Sequence, residues 1–147
     1  MADIWTKEKR SSVMSKIRSQ NTLPEKQVRS ILFNKGFRFR IHRKDLPGKP
    51  DIILPKYKTV VFVHGCFWHY HKDCNEGRIP DTNSKFWKTK LYKNIQRDAK
   101  HIKDLEELGW KVIVIWECEL KPKLLVSTIE KLEKEIKSNL KEINKYA

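Results

Sequence analysis

The chain has 147 residues, the size of one domain with a single core. Lys+Arg 32 against Asp+Glu 18 leaves a formal charge of +14, self-repulsion that points to a polyanionic partner, with a solvated basic surface as the plain alternative. The N-terminus lacks an apolar stretch of signal-peptide type and no long apolar run follows, so a soluble, reducing, cytoplasmic setting without a membrane is expected. In that setting the three cysteines, Cys66, Cys74 and Cys118, suggest metal rather than disulfide chemistry.

The segment from about Thr6 to Arg18 is basic and weakly amphipathic, with Val13, Met14 and Ile17 on one side. It reads as a helix, or as an arm over residues 1–20 that orders on a partner. A firmer helix starts at Thr22, where Thr22-Leu23-Pro24-Glu25 has capping-box spacing with Pro in the first turn. Val28, Ile31 and Leu32 form its buried stripe and Gly36 stops it. Phe37, Phe39 and Ile41 then alternate with Arg38, Arg40 and His42, which predicts a half-buried strand.

Pro47-Gly48-Lys49-Pro50 predicts a turn that delivers Asp51 to a second strand, Ile52-Ile53-Leu54. After a short reversal, Thr59-Val60-Val61-Phe62-Val63 reads as a central strand covered on both faces. The longest helix runs from Ser84 to Leu108, with Trp87, Leu91, Ile95, Ile102, Leu105 and Leu108 at helical spacing. Trp110 to Trp116 is another buried strand. A lysine-rich helix over residues 122–147 carries Leu125, Ile129, Leu132, Ile136 and Ile143.

The order is therefore α-β-β-β-α-β-α: an α/β chain with one mixed central sheet flanked by helices. A meander of three strands is followed by a helical crossover that returns the fourth strand parallel to its neighbour. No repeat or linker divides residues 1–147, so one domain is expected.

The densest chemistry lies in His64-Gly65-Cys66-Phe67-Trp68-His69-Tyr70-His71-Lys72-Asp73-Cys74. Cys66, His71 and Cys74 share this loop. Because a crossover unit brings the ends of its parallel strands together, Cys118 is expected to join them. Three thiolates and an imidazole make a closed tetrahedral set suited to structural Zn²⁺, against the alternative of three independent buried cysteines.

Asp51 opens one strand and the next ends at Val63-His64, so antiparallel pairing would bring these ends together beside His69. A carboxylate and a backbone carbonyl are hard oxygen ligands suited to Mg²⁺, and a neighbouring imidazole can move a proton. Taken singly, Asp51 also reads as a turn residue and His69 as a surface histidine. Lys90, Lys93, Asn94 and Arg97 on the long helix could contact phosphates or base edges, or form a solvated helix face.

Pro50-Asp51 before a strand hairpin resembles the core of the PD-(D/E)xK restriction-like nucleases. The run from His64 to Cys74, with Trp116-Glu117-Cys118 downstream, is more closely similar to the very short patch repair (Vsr) DNA mismatch endonucleases, and the likeness extends from the basic N-terminus to about Cys118. That resemblance implies a restriction-endonuclease-like fold in which Asp51 and the Val63 carbonyl hold Mg²⁺. His69 would be the general acid or base, with His64 supporting the phosphate or a water on the metal, and Glu25 a supporting acid as well as a capping residue. Phe67, Trp68 and Trp87 would wedge into the duplex beside the mispair, where unstacking is cheapest. Trp87 also fits a core position, and Met14 would enter from the other groove. Two departures stand out: Val63 replaces a frequent Thr, and the second acid and lysine of the broader superfamily are absent.

The expected activity is a Mg²⁺-dependent, zinc-stabilised nick 5′ to the T of a T:G mispair arising from 5-methylcytosine deamination. The expected partner is double-stranded DNA, with mismatch-repair proteins as further candidates, and the enzyme is expected to be a nucleoid-associated monomer of bacterial type. The rivals are a restriction-like nuclease cutting matched DNA and a zinc-stabilised DNA-binding module without catalysis.

Overall fold

The computed structural model describes residues 22–71, Cys74 and residues 77–145. The expected N-terminal helix, with Met14, lies outside the described residues. Helix α1 spans Leu23–Asn34, and its N-cap Thr22 accepts the Glu25 N–H through its side chain at 3.4 Å. Strand β1 is Ile52–Leu54, β2 is Thr59–His64 and β3 is Lys111–Trp116. Between β2 and β3 lie the aromatic loop and helix α2 (Ser84–Glu107); helix α3 (Pro122–Lys145) closes the chain. No described helix is long and apolar enough to cross a membrane.

The sheet order is β1-β2-β3, with β1 antiparallel to β2 and β2 parallel to β3. That is the mixed, helix-flanked sheet expected, with one element shortened. In place of a full strand over residues 37–41 there is a single antiparallel bridge between Arg40 and Ile53. With only three residues, β1 turns Ile53 alone toward that side, so one residue exchanges both backbone bonds with Arg40. His42, at φ 58°, then leaves the extended region.

Side chains alternate across the sheet. Ile52, Leu54, Val61, Val63, Ile113 and Ile115 pack with Val28 and Leu32 of α1 and Ile129, Leu132 and Ile136 of α3. Ile53, Val60 and Phe62 face the other way, onto Leu46, Leu105 and Trp110. Each such side chain contributes about 1.5–3 kcal/mol by leaving water, so the two layers together fix the strand ends that carry the site.

Three positions expected on buried stripes are exposed: Ile95 at 37%, Leu108 at 56% and Ile143 at 37%. Ile95, midway along α2 between buried Leu91 and Leu105, points off the packed face, whereas Leu108 and Ile143 lie at helix ends. Helices of 24 residues run about 36 Å at 1.5 Å per residue, whereas six-residue strands span about 20 Å, so the helices outrun the sheet.

Candidate active site and metal centre

Asp51 sits just before β1, and its Oδ2 accepts the Val63 N–H at 2.7 Å across the β1–β2 pair. Its own N–H reaches the Val61 carbonyl at 3.1 Å. From α1, Arg29 Nη2 donates to the Asp51 carbonyl at 3.1 Å and to Glu25 Oε2 at 3.2 Å. Glu25 is buried at 3% exposure, its N–H serving the helix cap while its carboxyl faces Asp51. The two readings of Glu25, cap and supporting acid, are compatible in one residue.

Burial, and then the charge and hydrogen bond of Glu25, push the Asp51 carboxyl up to about 7, against the downward pull of the Val63 N–H. Two carboxyls gathered in a buried site share, among the described residues, the single Arg29 guanidinium, which bonds Glu25 but only the backbone carbonyl of Asp51, so the Asp51 carboxyl gains from a further cation. Their hard oxygens suit Mg²⁺, so these residues fit that ion. The Val63 side chain packs in the core shared by α1 and α3, so the hydroxyl that Val lacks would project into packing on that face.

His64 ends β2 and is buried; its ring stacks on His69, centroids 3.8 Å apart and planes within 4° of parallel. Burial, followed by the neighbouring His69, lowers the His64 pKa to about 4. His69 Nδ1 meets Asp98 Oδ2 at 2.6 Å. Burial opposes ionisation of Asp98, but the His69 hydrogen bond and charge hold its carboxyl below the usual range. His64, His69 and Asp98 bring ligand-type atoms within 4.8 Å of one another.

Asp98 is not among the residues expected from sequence. Its signal is positional: Trp87, Leu91, Asn94 and Asp98 fall at i, i+4, i+7 and i+11 of α2, one stripe facing the loop. A carboxylate on that stripe, opposite a loop with two histidines, is the clue.

The second centre lies beyond β2 and β3. Cys66, His71, Cys74 and Cys118 place one ligand atom each within 4.8 Å of the others. Tetrahedral zinc with bonds near 2.3 Å has ligand atoms about 3.8 Å apart, so the donor set fits a zinc-like ion after small adjustment. Cys118 Sγ stands 3.4 Å from His71 Nδ1, and the Cys118 N–H points at Cys66 Sγ at 3.4 Å. Burial pushes the Cys66 thiol up to about 12, and burial likewise raises that of Cys118, so metal binding must displace protons. His71 N–H to the Cys66 carbonyl at 2.8 Å and Cys74 N–H to the His71 carbonyl at 3.1 Å wind the loop around the site. Trp116 joins the two centres, stacked on His71 at 4.2 Å and edge-on to His64 at 5.3 Å.

Phe67 and Trp68 follow Cys66 directly and meet Trp87 at ring distances of 5.3 and 6.0 Å. Phe86, 58% exposed, extends the cluster at 5.2 Å from Trp87. Trp87 is half-buried here rather than in either core layer. Asn94, expected to face DNA, donates its amide to the Trp68 carbonyl at 2.9 Å and so clamps the loop. Lys90, Lys93 and Arg97 stand exposed along α2, with Lys90 Nζ 5.8 Å from the centre of the Trp68 ring.

A family model described as DNA mismatch endonuclease Vsr matches residues 2–76. A type II nicking enzyme of Neisseria meningitidis serogroup A is 54% identical over 138 residues, covering 93% of this chain and 98% of the relative. A type II nicking enzyme of Xanthomonas oryzae is 48% identical over 120 residues, covering 82% and 88%. The DNA mismatch endonuclease Vsr of Escherichia coli K12 is 43% identical over 121 residues, covering 82% and 77%.

Proposed function

The chain belongs to the Vsr family of DNA mismatch endonucleases, and from that premise we propose that it nicks one strand of duplex DNA 5′ to the T of a T:G mispair, using Mg²⁺ and stabilised by Zn²⁺. It is a DNA endonuclease of strand-nicking type. The observation that carries the mechanism is the convergence, at one end of the sheet, of the Asp51 carboxyl and the His64–His69–Asp98 relay.

Asp51 would hold the Mg²⁺, with the Val63 carbonyl beside it and Glu25 behind. When bound, Mg²⁺ supplies charge stabilisation at the phosphate and a more acidic water. Asp98, bonded to Nδ1, fixes the orientation of His69 and leaves Nε2 to exchange a proton with the attacking water or the leaving oxygen. His64 remains neutral under the His69 ring and presents a polar wall without a competing charge. Cys66, His71, Cys74 and Cys118 would hold the Zn²⁺ that stiffens the loop, so that Phe67 and Trp68, with Trp87, meet the duplex as a preformed wedge. A T:G pair unstacks more cheaply than a matched pair, which couples distortion to selectivity.

The test is nicking of a labelled duplex with one T:G mispair in varied flanks, beside a matched T:A control, with and without Mg²⁺. The expected result is a single nick 5′ to the mispaired T, in the presence of Mg²⁺ only. Equal cutting of the control would overturn the mismatch specificity, and binding without a nick in every flank would overturn the catalytic reading.

A further inference from the structure

Beside Asp51 and Glu25 opens a cavity whose remaining wall is rich in basic side chains, including His42, Arg43, Lys44 and Lys49. None of the described residues of the aromatic loop lines it, so it opens on a different flank of Asp51 from the wedge. The turn over residues 42–49 that supplies these cations is anchored at several points. Arg43 grips Asp45 through two bonds, at 2.9 and 2.8 Å, and lies over Trp110 at 5.8 Å. Leu46 is buried in the core layer beneath α2. Gly48, at φ 73°, lies so close to His101 that a Cβ there would fall 2.8 Å from the His101 Cβ.

Arg43 is thus consumed by the turn itself, while Lys44 and Lys49 are exposed and have no ion pair among the described residues. His42 and Lys49 both hold left-handed backbone, φ 58° and 49°, a conformation that L-residues adopt only where the surroundings impose it. A lysine that merely solvates a surface needs neither a rigid turn nor a fixed backbone direction. A rigid turn that aims unpaired cations at the mouth of a phosphodiester-cleaving centre suits an anion of fixed position.

We propose that Lys44 and Lys49, flanked by His42, grip DNA backbone phosphate adjacent to the scissile position, on the side of Asp51 away from the Phe67–Trp68 wedge. The duplex is then held at two flanks of Asp51: by aromatics that respond to the mispair, and by cations that read only charge. This rests on the endonuclease reading for its choice of polyanion.

The experiment is a titration of the zinc-loaded protein, without Mg²⁺, with matched duplex across a KCl series, followed by fluorescence anisotropy. It compares the unaltered protein, Lys44→Ala/Lys49→Asn, and Lys134→Ala on the exposed side of α3 as control. Asn tolerates the left-handed backbone at 49, so the double variant keeps the turn, which an unchanged melting temperature verifies. Each lost phosphate contact makes the slope of log K against log[salt] shallower by about 0.9, so a change of nearly two is expected. Affinity for matched and T:G duplexes should fall by the same factor, with kcat at saturating duplex within about twofold and Lys134→Ala unchanged. A slope equal to that of the unaltered protein overturns the proposal, as does a loss confined to T:G duplex or to kcat. Because the titration needs neither cleavage nor a mispair, failure of the nicking assay would sink the repair reading and leave this result standing.

Discussion

His64 and His69 lie face to face, 3.8 Å between ring centroids, with Asp98 closing on Nδ1 of His69 at 2.6 Å. Two stacked imidazoles cannot both be cations at acceptable cost. The buried ring, His64, yields its proton first, with a pKa lowered to about 4. In the proposed mechanism His69 is the group that moves the proton and Asp98 is the ionised carboxylate that orients it.

His69→Ala should lower single-turnover nicking by about 10²–10⁴-fold, the usual reach of general acid–base groups. Asp98→Asn should lower it less, with KM for duplex unchanged, and Asp98→Glu should restore part of it. An Asp98→Asn variant weakened in KM rather than kcat would remove Asp98 from the relay.

The pH dependence of stability follows from two opposed shifts. Asp51 has its folded value raised from 3.8 to about 7, so the stability it contributes is fully present below 3.8 and lost as pH rises through about 7. His64 has its folded value lowered from 6.5 to about 4, so its contribution is present above 6.5 and lost as pH falls through about 4. Between about 4 and 6.5 the two slopes, each at most about 1.4 kcal/mol per pH unit, nearly cancel. Metal-free Asp51→Asn should unmask the His64 slope and grow more stable from pH 4 to 6.5, whereas His64→Gln should grow less stable across 4 to 7. Urea melts at half-unit pH steps decide this; parallel curves for all three proteins would contradict it.

One zinc per chain is expected by elemental analysis, and cobalt replacement should give the absorption of a tetrahedral thiolate site. Cys118→Ser should release the metal and lower Tm by about 10 °C, equivalent to about 3 kcal/mol. Since the Cys66 thiol stands near 12 without metal, zinc uptake should release protons and weaken as pH falls. A metal-free protein with an unaltered Tm would refute the structural role.

Gly77 tests the same loop without touching a ligand. A Cβ there would lie 2.5 Å from the His71 carbonyl oxygen and 3.1 Å from that of Cys66, backbone atoms that cannot swing aside. Gly77→Ala should cost about 1–3 kcal/mol and weaken zinc retention in a chelator competition.

Much of the site is legible in the amino-acid sequence. The thiol and imidazole spacing in the loop, with Cys118 at a strand end, points to a cluster that the parallel β2–β3 register does assemble. Asp51 beside Val63 follows from simple hairpin pairing. Asp98 is harder to read, because its place on the Trp87–Leu91–Asn94 stripe becomes informative only once the rotation of α2 about its axis turns that stripe toward the loop. Asn94 has an amide that suits DNA and a loop carbonyl equally, and only packing chooses the carbonyl. The strand expected at 37–41 shrinks to a bridge because alternation reports faces, not how long the neighbouring strand is.

Trp116 is stacked on His71 and edge-on to His64, and Cys118 follows two positions later, 47 residues beyond His71. The consequence is an order of assembly. A chain emerging from the ribosome presents the aromatic loop long before β3 exists to close it. Until β3 slots in, the loop has neither its fourth ligand nor the indole that stands between His71 and His64. A partly made enzyme is therefore an unarmed one, and cutting competence arrives only with the closing of the sheet.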